Sequence, residues 1–235
     1  LLAVFVMCSN ACEQKVPPQN PPVEQPGETE DNSTSIKVLA IGNSFSVDAM
    51  EYLYGVLVDL GYEEIVLGNL YIAGCTLETH ASNFQNNSAS YTYYLNTTGT
   101  WNKTASYKPL DALASDQWDI ITMQQGSPKS GLAQTYDTYL ASLVTSVMSV
   151  CPDSELAWHM TWAYSSDSTH KDYGRYNYNQ KLMYTSITEC VKQIFSEYPQ
   201  IKTVIPSGTT IQTLRESVFN NPPKDLTCDG FHLDL

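Results

Sequence analysis

Basic residues are scarce in this chain, which has 12 Lys and Arg against 25 Asp and Glu among 235 residues. The formal net charge is −13 at pH 7. Proteins that bind nucleic acid or anionic lipid need clustered positive charge, because both partners are polyanions. The charge balance therefore argues against these partners and favours a neutral substrate.

Long apolar runs are also missing, apart from residues 1–7. This run is too short to span a bilayer, which takes about 20 residues. With the polar residues that follow, it predicts the end of a signal peptide over residues 1–14. Ala11-Cys12 resembles the cleavage site of bacterial lipoproteins, in which Cys12 carries the lipid anchor, and an ordinary secretory signal cut nearby is the alternative. We expect export to the periplasm or cell surface, as an outer-membrane lipoprotein of a Gram-negative bacterium.

Apolar residues are nearly absent from residues 15–35, which contain five prolines among Gln, Glu, Asn and Thr. This composition predicts a disordered tether. Residues 36–235 then form one domain of ordinary size. Because the chain ends three residues after His232, we expect a domain shortened at its C-terminus, with the segment after Pro222 loosely packed.

Cysteine and histidine patterns do not indicate a metal site, because no pair has the spacing of metal ligands. We expect neither a metal nor a cofactor. Two of the six cysteines fall in the signal region. In an exported protein the other four form up to two disulfides or remain free thiols: Cys75, Cys151, Cys190 and Cys228.

From residue 36 onward, apolar strands alternate with amphipathic helices. Strands are predicted over 37–41, 64–72, 118–123, 155–163 and 202–206, and helices over 47–60, 136–150 and 183–198. This alternation predicts a three-layer α/β/α domain of flavodoxin type, with a central parallel sheet of about five strands covered on both faces. Ligands of such folds bind at the carboxyl ends of the strands.

Residues 80–110 interrupt the alternation and are rich in Asn, Ser, Thr and Tyr. They predict a hairpin or an ordered loop inserted over the active edge. The insertion carries aromatic residues that either stack on sugar rings or pack the insertion onto the domain: Tyr91, Tyr93, Tyr94, Trp101 and Tyr107.

A serine turn and a terminal Asp-x-x-His motif carry the most chemistry. Ser44 follows the first strand and precedes a helix, where its hydroxyl is exposed near a helix N-terminus. A serine needs a base to become a nucleophile, and His232 supplies one if Asp229 orients its imidazole. The alternatives are a phosphate-binding turn at Ser44 and a simple ion pair between Asp229 and His232.

Four segments in this order resemble the sequence blocks of the SGNH/GDSL hydrolases: Gly42-Asn43-Ser44-Phe45-Ser46, Gly74, Gln124-Gln125-Gly126-Ser127 and Asp229-x-x-His232. More narrowly, the chain resembles a group of SGNH-like exported proteins of Bacteroidota. The resemblance implies an SGNH-type fold and a catalytic triad of Ser44, His232 and Asp229.

The resemblance also implies an oxyanion hole built from the backbone N–H groups of Ser44 and Gly74 and one side-chain amide. Most of the superfamily takes that amide from an Asn, but Pro128 stands at its place here. The superfamily's Asp in the first block is replaced by Asn43. We expect Gln125 to supply the amide, as in some carbohydrate-active SGNH esterases, with Gln124 as the alternative.

These features predict a serine hydrolase that acts on ester bonds, an esterase that removes O-acetyl groups from a polysaccharide or glycan. The partner is then an acetylated glycan or small ester, and membrane contact is limited to a lipid anchor at Cys12. The competing hypothesis is a catalytically impaired scaffold that binds surface glycans, because Asn43 and the missing Asn depart from the superfamily. A lipase is a weaker alternative, since the polar insertion does not predict a large apolar cleft.

Overall fold

Seven strands form one sheet in the order β4-β3-β2-β1-β5-β6-β7. The computed structural model describes residues 34–235. The strands are β1 (Ser35–Gly42), β2 (Glu64–Tyr71), β3 (Tyr91–Asn96), β4 (Asn102–Tyr107), β5 (Ile120–Met123), β6 (Glu155–His159) and β7 (Ile201–Ile205). The predicted signal peptide lies outside the described residues, as does the predicted linker except for its last two residues.

Helices connect and cover the strands. They are α1 (Ser44–Met50), α2 (Leu53–Asp59), α3 (Leu77–Gln85), α4 (Pro109–Leu113), α5 (Asp137–Val150), α6 (Gln180–Glu197) and α7 (Ser207–Arg215). The single helix predicted over 47–60 is two short helices, because α1 ends at Met50 and α2 begins at Leu53. No helix within residues 34–235 is long and apolar enough to cross a membrane.

The five predicted strands are the parallel ones, and the predicted three-layer α/β/α fold is confirmed. β1 pairs in parallel with both β2 and β5, and β5, β6 and β7 continue the parallel arrangement. The two additional strands come from the insertion, whose hairpin β3–β4 extends the sheet antiparallel beside β2. The sheet is therefore mixed, with seven strands where about five were predicted.

Both faces of β1 are buried, which explains its continuous apolar run. Leu39 and Ile41 belong to the larger core, under α3, α5 and α6. Val38 and Ala40 belong to a smaller core, under α1 and α2. On that second face an apolar groove of about 410 Å³ lies beside α1 and α2, with residues of β5, β6 and β7 along its floor.

The insertion packs onto the domain through two of its aromatic residues. Tyr91 and Tyr93 are buried in the larger core, and the Tyr91 hydroxyl lies 2.9 Å from Nδ1 of the buried His80 on α3. Tyr94, Trp101 and Tyr107 are only partly buried. The packing interpretation is therefore confirmed for the first two and leaves the other three with exposed surface.

The C-terminal segment is well packed, so the expectation of a loose segment after Pro222 is wrong. The Asp225 carboxylate accepts hydrogen bonds from Ser166 N–H (2.8 Å) and Oγ (2.6 Å). The Arg215 guanidinium donates to the carbonyls of Asp225 and Ala163, both at 2.9 Å. Thr227 has no exposed surface. This network binds the segment to the loop that follows β6.

The four cysteines within residues 34–235 are free thiols. Cys75, Cys151 and Cys190 are buried, and Cys228 is exposed. The sequence left disulfides and free thiols as alternatives, and the structure contains free thiols.

Candidate active site

Ser44 is the first residue of α1 and follows a tight turn at the carboxyl end of β1. The turn residue Asn43 is extended, and its Oδ1 accepts a hydrogen bond from Phe45 N–H at 3.0 Å, which caps the helix. A Cβ atom at Gly42 would lie 2.5 Å from Ser46 Oγ, so only glycine fits there. Ser44 is therefore presented, partly exposed, at the start of a helix.

A buried chain of polar side chains fixes this turn. Asn43 Nδ2 donates to the Cys75 carbonyl at 3.0 Å, and Gln124 Nε2 donates to Asn43 Oδ1 at 2.8 Å. Gln124 Oε1 lies 2.9 Å from His159 Nδ1, and His159 Nε2 lies 3.1 Å from Ser207 Oγ. Because Gln124 Oε1 can only accept, His159 carries its proton on Nδ1 and accepts from Ser207. Burial lowers the pKa of His159 to about 4, so the imidazole is neutral at pH 7.

These buried hydrogen bonds also explain why residue 43 is Asn where the superfamily has Asp. Asn43 must donate to the Cys75 carbonyl, which an ionised carboxylate cannot do. Its bond to Cys75 also ties the serine turn to the loop that contains Gly74, which has φ +61°. The N–H groups of Ser44 and Gly74 donate no hydrogen bond within residues 34–235. The two backbone donors predicted for the oxyanion hole therefore have no protein partner in this range.

The terminal Asp-x-x-His segment forms the predicted pair. Asp229 Oδ2 lies 2.7 Å from His232 Nδ1, and Asp229 Oδ1 accepts from the backbone N–H groups of Phe231 (3.1 Å) and His232 (2.8 Å). Burial raises the pKa of Asp229, but the hydrogen bonds from His232 and Phe231 lower it below its ordinary value. The carboxylate is therefore ionised and fixes the tautomer of His232 with its proton on Nδ1.

The other imidazole nitrogen, His232 Nε2, is buried and has no hydrogen-bond partner in the described part of the chain. Four other buried side-chain atoms within residues 34–235 also lack a partner, but this nitrogen belongs to a histidine that a carboxylate orients from its other side. In a serine hydrolase this nitrogen accepts the proton of the nucleophile.

Two contacts bring this histidine to the serine helix. Leu233 N–H donates to Asp48 Oδ2 at 3.0 Å, and Asp48 lies about one turn after Ser44 on the same face of α1. The His232 ring centroid lies 6.1 Å from that of Phe45. The structure therefore holds the Asp229–His232 segment against α1, the helix that begins at Ser44.

Sequence reasoning missed two residues that position this site. Asp48, about one turn into α1, belongs to none of the sequence motifs, but it anchors the segment of His232. Burial raises its pKa, and the Leu233 N–H and His232 oppose that rise. Trp162 stacks on Phe45 at 4.3 Å and donates its Nε1–H to the Phe231 carbonyl at 2.7 Å. No local sequence pattern marks either contact.

Gln125 does not reach this site. Its Oε1 accepts from the N–H groups of Leu77 (2.9 Å) and Gly126 (2.8 Å), and its Nε2 donates to the Thr135 carbonyl (3.0 Å) and Oγ1 (3.1 Å). The predicted role of Gln125 in the oxyanion hole is therefore corrected, because both ends of its amide are used to join loops. The amide of the alternative, Gln124, is bonded to Asn43. Two backbone donors remain, from Ser44 and Gly74.

Within residues 34–235 no three His, Cys, Asp or Glu side chains cluster in a way that could bind a metal ion.

Comparisons with known proteins identify the fold and the family. The model of a family described as a domain of unknown function, DUF4886, matches residues 37–235. The crystal structure of a DUF4886 family protein from Bacteroides uniformis is 40% identical, with a TM-score of 0.80, and the match covers 86% of this chain and 77% of that chain. No curated protein matches the chain.

More distant solved structures carry names of the SGNH/GDSL class. A candidate SGNH hydrolase from Slackia heliotrinireducens has 17% identity and a TM-score of 0.54, with 85% of this chain and 90% of that chain covered. A candidate GDSL-like lipase from Parabacteroides merdae has 12% identity and a TM-score of 0.53, with 86% and 92% covered. These likenesses show the SGNH hydrolase fold, so the fold that the sequence blocks implied is confirmed. The family match and the 40% identity together establish that the chain belongs to the DUF4886 family.

Proposed function

We propose that this protein is an exported serine esterase of SGNH type that removes O-acetyl groups from a polysaccharide or glycan. The observation that carries the proposal is the Asp229–His232 pair, which is anchored to the serine helix through Asp48 and has a buried, unpartnered Nε2 among the described residues. Acyl transfer requires a fixed imidazole with one free nitrogen, and here that imidazole lies on a segment held against the helix that Ser44 begins.

The proposed reaction uses these residues in two acyl-transfer steps. Ser44 Oγ attacks the acetyl carbonyl carbon while its proton passes to His232 Nε2, and Asp229 stabilises the resulting imidazolium. The negative charge on the carbonyl oxygen is bound by the Ser44 and Gly74 N–H groups. His232 then returns the proton to the departing sugar oxygen, which leaves an acetyl group on Ser44. Water, deprotonated by His232, attacks this ester; His232 then returns the proton to Ser44 Oγ as the bond to the acetyl carbon breaks, and acetic acid is released as acetate and a proton.

Charge and composition support a neutral polar substrate. The net charge of −13 disfavours polyanions. The hairpin beside the serine helix carries Tyr94 and Trp101 with exposed surface, and aromatic rings of this kind suit sugar rings. An acetylated neutral glycan fits both features.

Export is part of the proposal and rests on the sequence. The apolar run of residues 1–7 and Ala11-Cys12 favour a lipoprotein signal, with a lipid on Cys12 and the domain tethered outside the cytoplasm. Metabolic labelling with a fatty-acid analogue tests this: label is expected on the full-length protein and absent from Cys12→Ser. Equal labelling of both proteins would reject the anchor at Cys12.

A glycan-binding protein on a catalytically impaired scaffold is the second candidate. The observation that favours it is the engagement of Gln124 and Gln125 inside the fold, which leaves the oxyanion hole without a side-chain donor. Loss of one such donor costs a hydrolase about 100- to 1000-fold in kcat. Weak turnover would then be a by-product of the scaffold.

Hydrolysis of p-nitrophenyl acetate separates the two candidates. The esterase proposal predicts turnover that falls at least about a thousandfold in Ser44→Ala and in His232→Ala. Ser196→Ala is the matched control, because within residues 34–235 the hydroxyl of this serine is bonded only to the Gln193 carbonyl on the same helix, α6. Slow hydrolysis that is unchanged in both site variants would reject the enzyme and leave the binding protein.

A further inference from the structure

A second pocket, of about 190 Å³, lies between α1 and the β3–β4 hairpin. It is lined by Val47, Glu51, Asn69, Tyr94, Trp101 and Lys103. The pocket is small and is bounded by one helix and one hairpin, so it suits a single sugar ring better than several.

The floor of the pocket is a row of side chains across three strands. Asn69 on β2 is paired with Tyr94 on β3, and Tyr94 is paired with Lys103 on β4. Directly opposed residues point to the same face of a sheet, so the three side chains lie side by side. The rings of Tyr94 and Trp101 meet at 75° with centroids 6.5 Å apart, and Lys103 Nζ lies 4.7 Å from the Tyr94 centroid. The result is an aromatic corner with a hydrogen-bond donor beside it.

Asn69 is the observation that points to a ligand. It is 2% exposed, and one end of its amide lies 3.0 Å from Ser46 Oγ. The other end has no hydrogen-bond partner among residues 34–235, and the residue lines the pocket. This nitrogen, Nδ2, is not one of the fully buried atoms that lack a partner, so it has accessible surface in the pocket. A water molecule or a hydroxyl group of a ligand in the pocket would complete its hydrogen bonding.

The pocket is close to the nucleophile. Val47 lies about one helical turn from Ser44 and Glu51 about two turns, on the same side of α1. A substrate whose ester reaches Ser44 can therefore extend along α1 into the pocket. Glu51 and Lys103 carry opposite charges, so the lining favours neither a cationic nor an anionic sugar.

We propose that this pocket is a subsite that binds one neutral sugar residue of the glycan, next to the residue whose ester lies at Ser44. The assignment of the neighbouring ester rests on the proposed esterase function. Binding of the sugar itself does not require hydrolysis and is measured separately.

The test uses Ser44→Ala protein, so that ligands are not consumed, and isothermal titration calorimetry with acetylated xylo-, manno- and gluco-oligosaccharides. We expect at least one series to bind, and Trp101→Ala in the same background to weaken that binding about five- to tenfold, because a lost aromatic contact is worth about that factor. Lys103→Ala on the exposed strand β4 is a second variant that leaves the core intact. Phe219→Ala is the matched control, because this aromatic residue is 73% exposed and lies outside the pocket.

Two results would overturn the subsite: no binding of any of the three series, or equal affinity in the Trp101, Lys103 and Phe219 variants. Kinetics on the protein that retains Ser44 distinguish a failure of the subsite from a failure of the esterase proposal. With the subsite in use, Trp101→Ala raises KM for the oligosaccharide and leaves p-nitrophenyl acetate hydrolysis within about twofold. If p-nitrophenyl acetate is not hydrolysed but Trp101-dependent binding persists, the esterase fails and the subsite stands.

Discussion

Replacement of Asn43 by alanine tests the buried chain that fixes the serine turn. Asn43 is 1% exposed and makes three hydrogen bonds through its side chain, with Phe45 N–H, the Cys75 carbonyl and Gln124 Nε2. Alanine removes the helix cap and leaves the Cys75 and Gln124 groups buried without partners. Both the stability of the domain and the position of Gly74 depend on these bonds.

The expected loss follows from adding these contributions. A helix N-cap is worth about 1 kcal/mol, and each of the two buried groups left unpaired costs about 1 to 2 kcal/mol. The free energy of unfolding is therefore expected to fall by about 3 to 5 kcal/mol. With a urea m-value of about 3 kcal/mol/M for a domain of this size, the unfolding midpoint falls by about 1 to 2 M.

Urea unfolding followed by circular dichroism at pH 7 measures this change. Asn102→Ala is the matched control, because Asn102 is exposed and its one side-chain bond, to the Thr100 carbonyl, is 3.5 Å long. The control is expected to stay within about 0.5 kcal/mol of the unsubstituted protein. A fall of less than about 1 kcal/mol in the free energy of unfolding of Asn43→Ala would refute the reasoning. The bonds to Cys75 and Gln124 would then contribute nothing beyond the helix cap.

Three further predictions concern ionisable groups. Burial lowers the pKa of His80 to about 3 from its ordinary value near 6.5, so the free energy of unfolding falls as pH drops from about 6.5 toward 3. Urea midpoints measured across that range should change less with pH in His80→Leu. Burial raises the pKa of Asp225, but hydrogen bonds from Ser166 outweigh burial, and the pKa is lower than its ordinary value. The stability that Asp225 contributes is therefore complete above about pH 4 and is lost as pH falls through the lowered pKa. Asp225→Asn should lower the Tm at pH 7, and the Tm of this variant should fall less between pH 4 and pH 2. Because Cys228 is exposed and Cys75 is buried, a disulfide reagent should modify Cys228 before Cys75 in the native protein. Partial burial and, next, the charge of Asp229 raise the pKa of the Cys228 thiol, so it should react more slowly than free cysteine, and a rate equal to that of free cysteine would contradict this environment.

The parallel strands are predictable from sequence because they are buried on both faces and read as short apolar runs. The hairpin is harder, since half of its side chains are polar and nothing local specifies that β3 pairs with β2. The break between α1 and α2 is also hidden, because apolar spacing continues across Glu51 and Tyr52. Tertiary packing decides both features.

The candidate site shows the same division. Ser44, Asp229 and His232 are identifiable because their chemistry is carried by short motifs. The contacts that position them link distant residues: Asp48 and Leu233, for example, are 185 residues apart. Gln125 shows the limit of motif reasoning, because neighbouring residues at a strand end point in different directions. Its amide donates a hydrogen bond to the Thr135 carbonyl and not into the candidate site.

Covalent labelling with a fluorophosphonate tests the central claim, that Ser44 is a nucleophile activated by His232. Reaction of the protein with the reagent, followed by peptide mass spectrometry, is expected to place one phosphonyl group on Ser44. The adduct is expected to be absent from Ser44→Ala and to form at least about a thousandfold more slowly in His232→Ala. Labelling of a different serine, or labelling of Ser44 at the same rate without His232, would contradict the account.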